Sequence, residues 1–181
     1  TQVTQLVLAY ADRGWVDADS AMTAIDHGSA EQLIERIELD EARANEVIQS
    51  IEDETFMAQP QRPVFPDEDP GPAVDAMGNP IPMVDPTTGQ QLVDPMTGEP
   101  QWVPVTSVPG WMPRPFDRIP VHEQIVTDWM KSQAWSLLND DQKQAGMAYY
   151  SALLQIKAQQ QAKAEAQQMQ QAMELGQANA S

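Results

Sequence analysis

The sequence predicts a mainly α-helical protein, with short helices at the front, one long helix at the end, and a proline-rich segment of short β-hairpins in between. Three observations carry that reading. All fifteen prolines of the 181 residues lie between Pro60 and Pro120, and proline inside a helix costs about 3 kcal/mol, so only the flanks are free to be helical. Both flanks repeat apolar residues near a period of 3.6. The middle repeats a turn signature. Three segments are therefore expected: an acidic short-helix packet over 1–57, the Pro-rich hairpin segment over 58–115, and a helical region with a long Gln/Ala-rich helix over 116–181.

In the first segment Val3, Leu6, Val7 and Tyr10 give residues 4–11 a helical stripe that ends before Gly14. Asp19 or Ser20 is placed to cap a helix running to His27, where Gly28 supplies the left-handed position past its end. Ser29 with Gln32 fits a capping box for a third helix, with Leu33, Ile34 and Ile37 as its stripe up to Leu39. Asp40 then reads as the start of a fourth. Its inward residues are Ala44, Val47, Ile48 and Ile51, and Glu41, Arg43, Glu46 and Glu52 are expected to be solvated.

In the middle, Val84-Asp85-Pro86-Thr87-Thr88-Gly89 recurs as Val93-Asp94-Pro95-Met96-Thr97-Gly98, and Val74-Asp75-Ala76-Met77-Gly78-Asn79 is a weaker copy. Aspartate bonds the backbone ahead of it, proline presets φ, and glycine takes the left-handed position, so each unit reads as a four-residue hairpin loop. Residues 81–84, 90–93 and 101–105 are short strands between the turns. A bare hairpin is marginal in water, so the module is expected to pack on the helices or on another copy of the chain.

After Pro120, helical spacing returns in Val121, Ile125, Val126, Trp129 and Met130, up to about Ser132. Asn139 or Asp140 caps the last helix. From residue 141 to about 175 no proline intervenes, which allows a rod of roughly 50 Å. Its first half offers Met147, Tyr150, Leu153 and Leu154; its second half offers Ala158, Ala162, Ala166, Met169 and Met173 among glutamines. Small residues at that spacing permit close helix contact but bury little area each. The tail is expected to fray alone and to persist beside copies of itself.

Composition narrows function. Lys and Arg number 10 against 27 Asp and Glu, for a net charge of −17. Leu, Ile, Val and Phe together make up 35 residues, just under the roughly 20 % below which a charged chain struggles to build a core. A self-sufficient enzyme is not expected. With no cysteine, disulfides and Cys-ligated zinc are excluded. The longest apolar run covers residues 6–11, far short of the ~20 a membrane span needs, and no basic region opens the chain. A soluble protein without a signal peptide is the expectation. Thr1 lies in a stretch that already reads as helix, which suggests a piece of something longer.

Site chemistry is sparse. His122-Glu123 opens like H-E-x-x-H, but Val126 stands where the second ligand belongs. Asp67-Glu68-Asp69 meets Gly71 and Pro72 where a calcium loop needs an oxygen ligand and its turning glycine, and reads as a solvated acidic linker. No phosphate loop, nucleophile elbow or triad spacing is present. His27 reads as a helix C-terminal residue, and His122 as a first-turn packing or hydrogen-bonding residue. No cofactor, metal or catalytic residue is expected. Trp102, Trp111, Trp129 and Trp135 cluster in sequence, as core or as interface. The subunit-interface candidates are Trp111, Trp129, Trp135, Tyr150, Ala158, Ala162 and Met169. Lys131, Lys143, Lys157 and Lys163 are too isolated for tight DNA binding, although the same charge suits a surface over which DNA slides.

Two stretches give the chain a resemblance. The first is Arg13-Gly14-Trp15-Val16-Asp17 with Ser20-Ala21-Met22, then Gly28-Ser29-Ala30-Glu31-Gln32-Leu33-Ile34-Glu35-Arg36 and Leu39-Asp40-Glu41-Ala42-Arg43-Ala44-Asn45-Glu46. The second is Arg114-Pro115-Phe116-Asp117 with His122, followed by Trp129-Met130-Lys131-Ser132 and residues 135–138 before the Gln/Ala helix. Order and texture resemble the C-terminal region of portal proteins, the head-to-tail connectors of tailed bacteriophages, of the type found in phages of actinobacteria. The hairpin segment is not distinctive of that family.

The resemblance implies a ring homo-oligomer, usually a dodecamer, forming the DNA channel at one capsid vertex for genome packaging and ejection. It implies the major capsid protein, the terminase and a head-tail adaptor as partners, with double-stranded DNA passing through rather than tightly bound. It also implies a place in the virion after assembly in the host cytoplasm. This region would be the head-facing wing and crown, and the DNA- and adaptor-clasping stem and clip would precede it. The alternative is a capsid-associated or scaffold-like interaction protein that folds on its partner.

Overall fold

A computed structural model describes residues 2–66, 68 and 70–178, with side chains as far as residue 173. Two compact units emerge, one of Thr1–Ala58 with Pro113–Ser181 and one of Gln59–Met112. The first is helical: α1 (Gln2–Asp12), α2 (Ala18–Asp26), α3 (Ala30–Glu52), a 3₁₀ turn (Thr55–Ala58), α4 (Ile119–Met130), α5 (Gln133–Leu137) and α6 (Asp140–Ala178). The second holds β1 (Gln61–Pro63) and β2 (Ser107–Pro109), paired antiparallel with Gln61 opposite Pro109. The chain is thus mainly helical with a long final helix, as its periodicity predicts.

The helical unit is built around α3, which packs against α1, α2, α4 and α6. Val7, Tyr10, Trp15, Val16, Ala21, Ala30, Ile37 and Val121 form one apolar cluster, in which the Tyr10 and Trp15 rings stack at 5.4 Å. Ile37, Ile51 and Leu153 are fully buried, each contributing about 1.5–3 kcal/mol. Among the described residues, no helix is long and apolar enough to cross a membrane.

Four local expectations need correction. Asp17, not Asp19 or Ser20, caps α2: its carboxylate accepts from the Ser20 N–H at 2.8 Å, and the Ser20 hydroxyl together with that N–H lowers its pKa. Ser29 makes no side-chain cap. The helices expected on either side of Asp40 are one helix, α3, since no Gly or Pro interrupts residues 30–52 and the Asp40 side chain finds partners elsewhere instead of capping. On α6 the buried face is Gln142, Ala145, Gly146, Tyr149 and Leu153, whereas Met147 and Leu154 are exposed. Helix α5, capped by the Ser132 hydroxyl, is an element the sequence pattern does not reveal.

The start of α6 is tied to the end of α3. Asn139 and Gln142 cap each other reciprocally, each side-chain oxygen accepting the other's backbone N–H at 2.9 Å. The Gln142 amide then donates to the carbonyls of Ile51 (3.1 Å) and Glu52 (2.8 Å), satisfying terminal acceptors of α3. Glycine is required at position 146 because a Cβ there would lie 2.6 Å from the Trp135 ring and 3.0 Å from the Trp129 ring.

In the second unit the three turns form as their sequences predict. Asp75, Asp85 and Asp94 each accept from backbone N–H groups two or more residues ahead, and Gly78, Gly89 and Gly98 have positive φ. The segments between them, expected as short strands over 81–84, 90–93 and 101–105, form no strand and pair only through single antiparallel bridges that close into two rings. Ile81 N–H donates to Ala73, Ala73 to Val103 and Val103 back to Ile81, at 2.8–2.9 Å. Met83 donates to Gln101, Gln101 to Leu92 and Leu92 back to Met83, at 2.8–3.0 Å. All six residues thereby use both backbone groups. The alternate positions are exposed, and Pro72, Pro80, Pro82, Pro100 and Pro104 occupy them, where no ring needs an N–H.

The turn carboxylates give this unit a pH dependence. Backbone N–H groups of Asn79 and Met77 hold the Asp75 carboxyl below its ordinary range, and those of Thr87 and Thr88 do the same for Asp85. A depressed carboxyl adds stability above its unfolded value of about 3.9 and loses it as pH falls through the lower folded value. The turn amides of Met77 and Thr87 are therefore expected to hold their NMR shifts from neutrality down through the range in which a free aspartate titrates, about 3.9, and to move only below it. Movement of these shifts at or above that pH would refute the assignment.

Candidate functional site

The most concentrated polar chemistry in the helical unit lies where α3, the 113–118 loop, α4 and α6 meet. Helix α3 supplies Asp40 and Arg43, three residues apart and hence on one face. The loop supplies Arg114, Asp117 and Arg118. Asp117 closes the loop on itself, accepting the Arg114 N–H at 2.7 Å through Oδ2 and donating its own N–H to the Arg114 carbonyl at 3.1 Å. Pro120 occupies the first turn of α4, where a missing N–H costs nothing. The helix thereby carries His122 into the interior, and α6 brings Tyr149 opposite.

The His122 side chain has no exposed surface. Its Nδ1 lies 2.7 Å from the Tyr149 hydroxyl, and its Nε2 faces Asp40 Oδ1 at 3.7 Å, with no hydrogen-bond partner. An imidazole N–H facing a carboxylate is attractive and a lone pair there is repulsive. That favours the tautomer in which Tyr149 donates to Nδ1 and Nε2 carries the proton. Burial, reinforced by the Asp117 charge, drives the Tyr149 pKa far above its ordinary value, so the phenol keeps its proton. Arg43 Nε lies 3.4 Å from Asp117 Oδ2 and Arg118 Nε 3.8 Å from Asp40 Oδ2, so each carboxylate has a guanidinium beside it. One ligand atom each from Asp40, Asp117 and His122 lies within 4.8 Å of the others.

The buried hydrogen-bonding role expected of His122 is therefore found, and His27 sits at the C-cap of α2 before Gly28. Arg43 is not solvated as expected; it is largely buried against Asp117. Glu52 is exposed as expected and also accepts the Trp129 indole N–H at 2.8 Å. Asp67 and Asp69 of the acidic run lie outside the described residues, while Glu68 is no solvated linker residue: Arg62 grips both its oxygens at 2.7 Å. That grip lowers the Glu68 pKa.

The interface candidates separate into two sets. Trp129 is buried in the helical unit and meets Trp135 edge to face at 4.9 Å. Trp111 is buried, and Trp135 and Tyr150 are half-buried. Ala158, Ala162 and Met169 are exposed, as is every residue from 160 to 173. Tyr149, beside the Tyr150 that the sequence singles out, is the residue that reaches the polar cluster. Comparison with protein-family models, with curated proteins and with solved structures gives no match to this chain.

Proposed function

We propose that this chain is a structural, non-enzymatic part of a phage portal ring, in which copies stand side by side around a channel for double-stranded DNA. The observation that carries the reading is α6. Its 39 residues extend roughly 58 Å, and its described stretch from 160 to 173 is exposed on every side. A helix polar all round with small side chains has little of its own to hold it. Ala158, Ala162, Ala166, Met169 and Met173 recur at three- and four-residue steps, and Met169 and Met173 are 61 % and 62 % exposed. Neighbouring copies of the same helix would cover that stripe. The net charge of −17 would leave passing DNA unbound, and the family resemblance supplies the capsid, terminase and adaptor as partners at the virion vertex.

Negative-stain electron microscopy of the complete polypeptide carrying this sequence is expected to reveal rings with a central hole. Scattered monomers or loose aggregates would overturn the ring and favour a scaffold-like protein that folds on its partner through the same helix.

A further inference from the structure

We propose that Asp40, Asp117 and His122 form a binding site for a divalent first-row transition metal of the zinc type. Three features point to an ion. First, the 3.7 Å between His122 Nε2 and Asp40 Oδ1 is too long for a hydrogen bond. It is close to the roughly 3.4 Å that separates two donors on one tetrahedral zinc with bonds of about 2.1 Å. Second, Nε2 is fully buried, lacks a hydrogen-bond partner and is aimed at a carboxylate, while Nδ1 is held by Tyr149. A metal-bound imidazole has this arrangement, its second nitrogen fixed by a hydrogen bond; on loading, the imidazole changes tautomer through solvent, Nε2 losing its proton and Nδ1 gaining one with no net release, so that Nδ1–H donates to the Tyr149 oxygen and the phenol hydrogen turns away from the ring. Third, a cleft of about 510 Å³ lined by Trp15, Asp17, Asp117 and Arg118 gives an ion a path to the Asp117 edge of the cluster.

Arg43 Nε faces Asp117 Oδ2 and Arg118 Nε faces Asp40 Oδ2, and Asp40 Oδ1 faces the imidazole. Asp117 must close in to reach bonding distance, since the three donors lie within 4.8 Å of one another rather than at tetrahedral spacing, and water would complete the coordination. One nitrogen and two oxygens suit a zinc-type ion that binds imidazole tightly better than calcium or magnesium, which prefer all-oxygen shells.

The test is titration of the chelator-treated protein with ZnCl₂ by calorimetry and with CoCl₂ by visible absorption. One equivalent should bind, with cobalt ligand-field bands. Asp40→Asn and His122→Gln should each weaken binding about tenfold or more, while His27→Gln, at an exposed helix end, should leave it unchanged. Circular dichroism confirms that each variant remains helical, and Asp40→Asn, at a partly exposed position, keeps the test valid if His122→Gln unfolds. Absence of saturable binding to the unmodified protein, or binding that only His27→Gln removes, overturns the proposal and leaves the gap to a bridging water.

Discussion

Replacing Asp117 with alanine is expected to lower the unfolding free energy by about 3 kcal/mol, the low end of the range for stripping one partner from a buried ion pair. Three losses combine. The Arg43 guanidinium, 17 % exposed, stays in the interior without the carboxylate it faces at 3.4 Å. The Arg114 N–H loses its acceptor. The loop that delivers Arg118 to the start of α4 loses its closing bond. Denaturant titration in chelator-treated buffer should reveal a lower midpoint at unchanged slope. Adding Arg43→Met should recover part of the loss, since the charge that faced Asp117 disappears while the loop bond remains broken. A midpoint within about 0.5 kcal/mol of the parent for Asp117→Ala alone would mean that the pair contributes nothing to the fold.

In the proline-rich unit, Leu92→Pro should cost that unit about 1–3 kcal/mol, whereas Val93→Pro, one residue on, should change stability by no more than about 0.5 kcal/mol. Leu92 N–H donates to Met83 at 2.8 Å and closes a ring; proline there orphans a carbonyl and opens all three bonds. The bridge of Val93 to Pro100 rests on bonds from Asp94 and Gln101, so its own N–H closes no ring. Amide exchange at Met83 and Gln101 separates the two outcomes, with protection lost in the first variant and kept in the second. Equal effects at both positions would refute the ring account.

These two regions also mark where sequence reasoning succeeds and where it stops. Turn chemistry is local, so Asp85, Pro86 and Gly89 declare their loop within a few residues, and the turns are legible. That the segments between them close into rings is not legible, because the rings join residues far apart in sequence, Ala73 with Val103 in one and Met83 with Gln101 in the other. The helices are readable from period and proline exclusion, but the division at Asp40 is not real: an aspartate at a cap and an aspartate inside a helix look alike until Arg118 and His122 arrive from elsewhere in the chain. The polar cluster was hidden for the same reason. Its members are spread from Asp40 to Tyr149 over three helices and a loop, and the one local cue, His122-Glu123, points toward a ligand pattern the sequence does not complete. A buried tyrosine beside Tyr150 could have been found by extending the stripe of Ala145 and Leu153, which places Tyr149 on the inner face.

The two rings of the proline-rich unit have a consequence for crowding. Where many copies of a chain stand shoulder to shoulder, a strand with free amides invites its neighbour to add on, and such templating can run on into fibres. Here six amides are turned inward in closed loops and half of the outer positions are proline, so the module repeated at high local concentration offers its twin only an interrupted ladder.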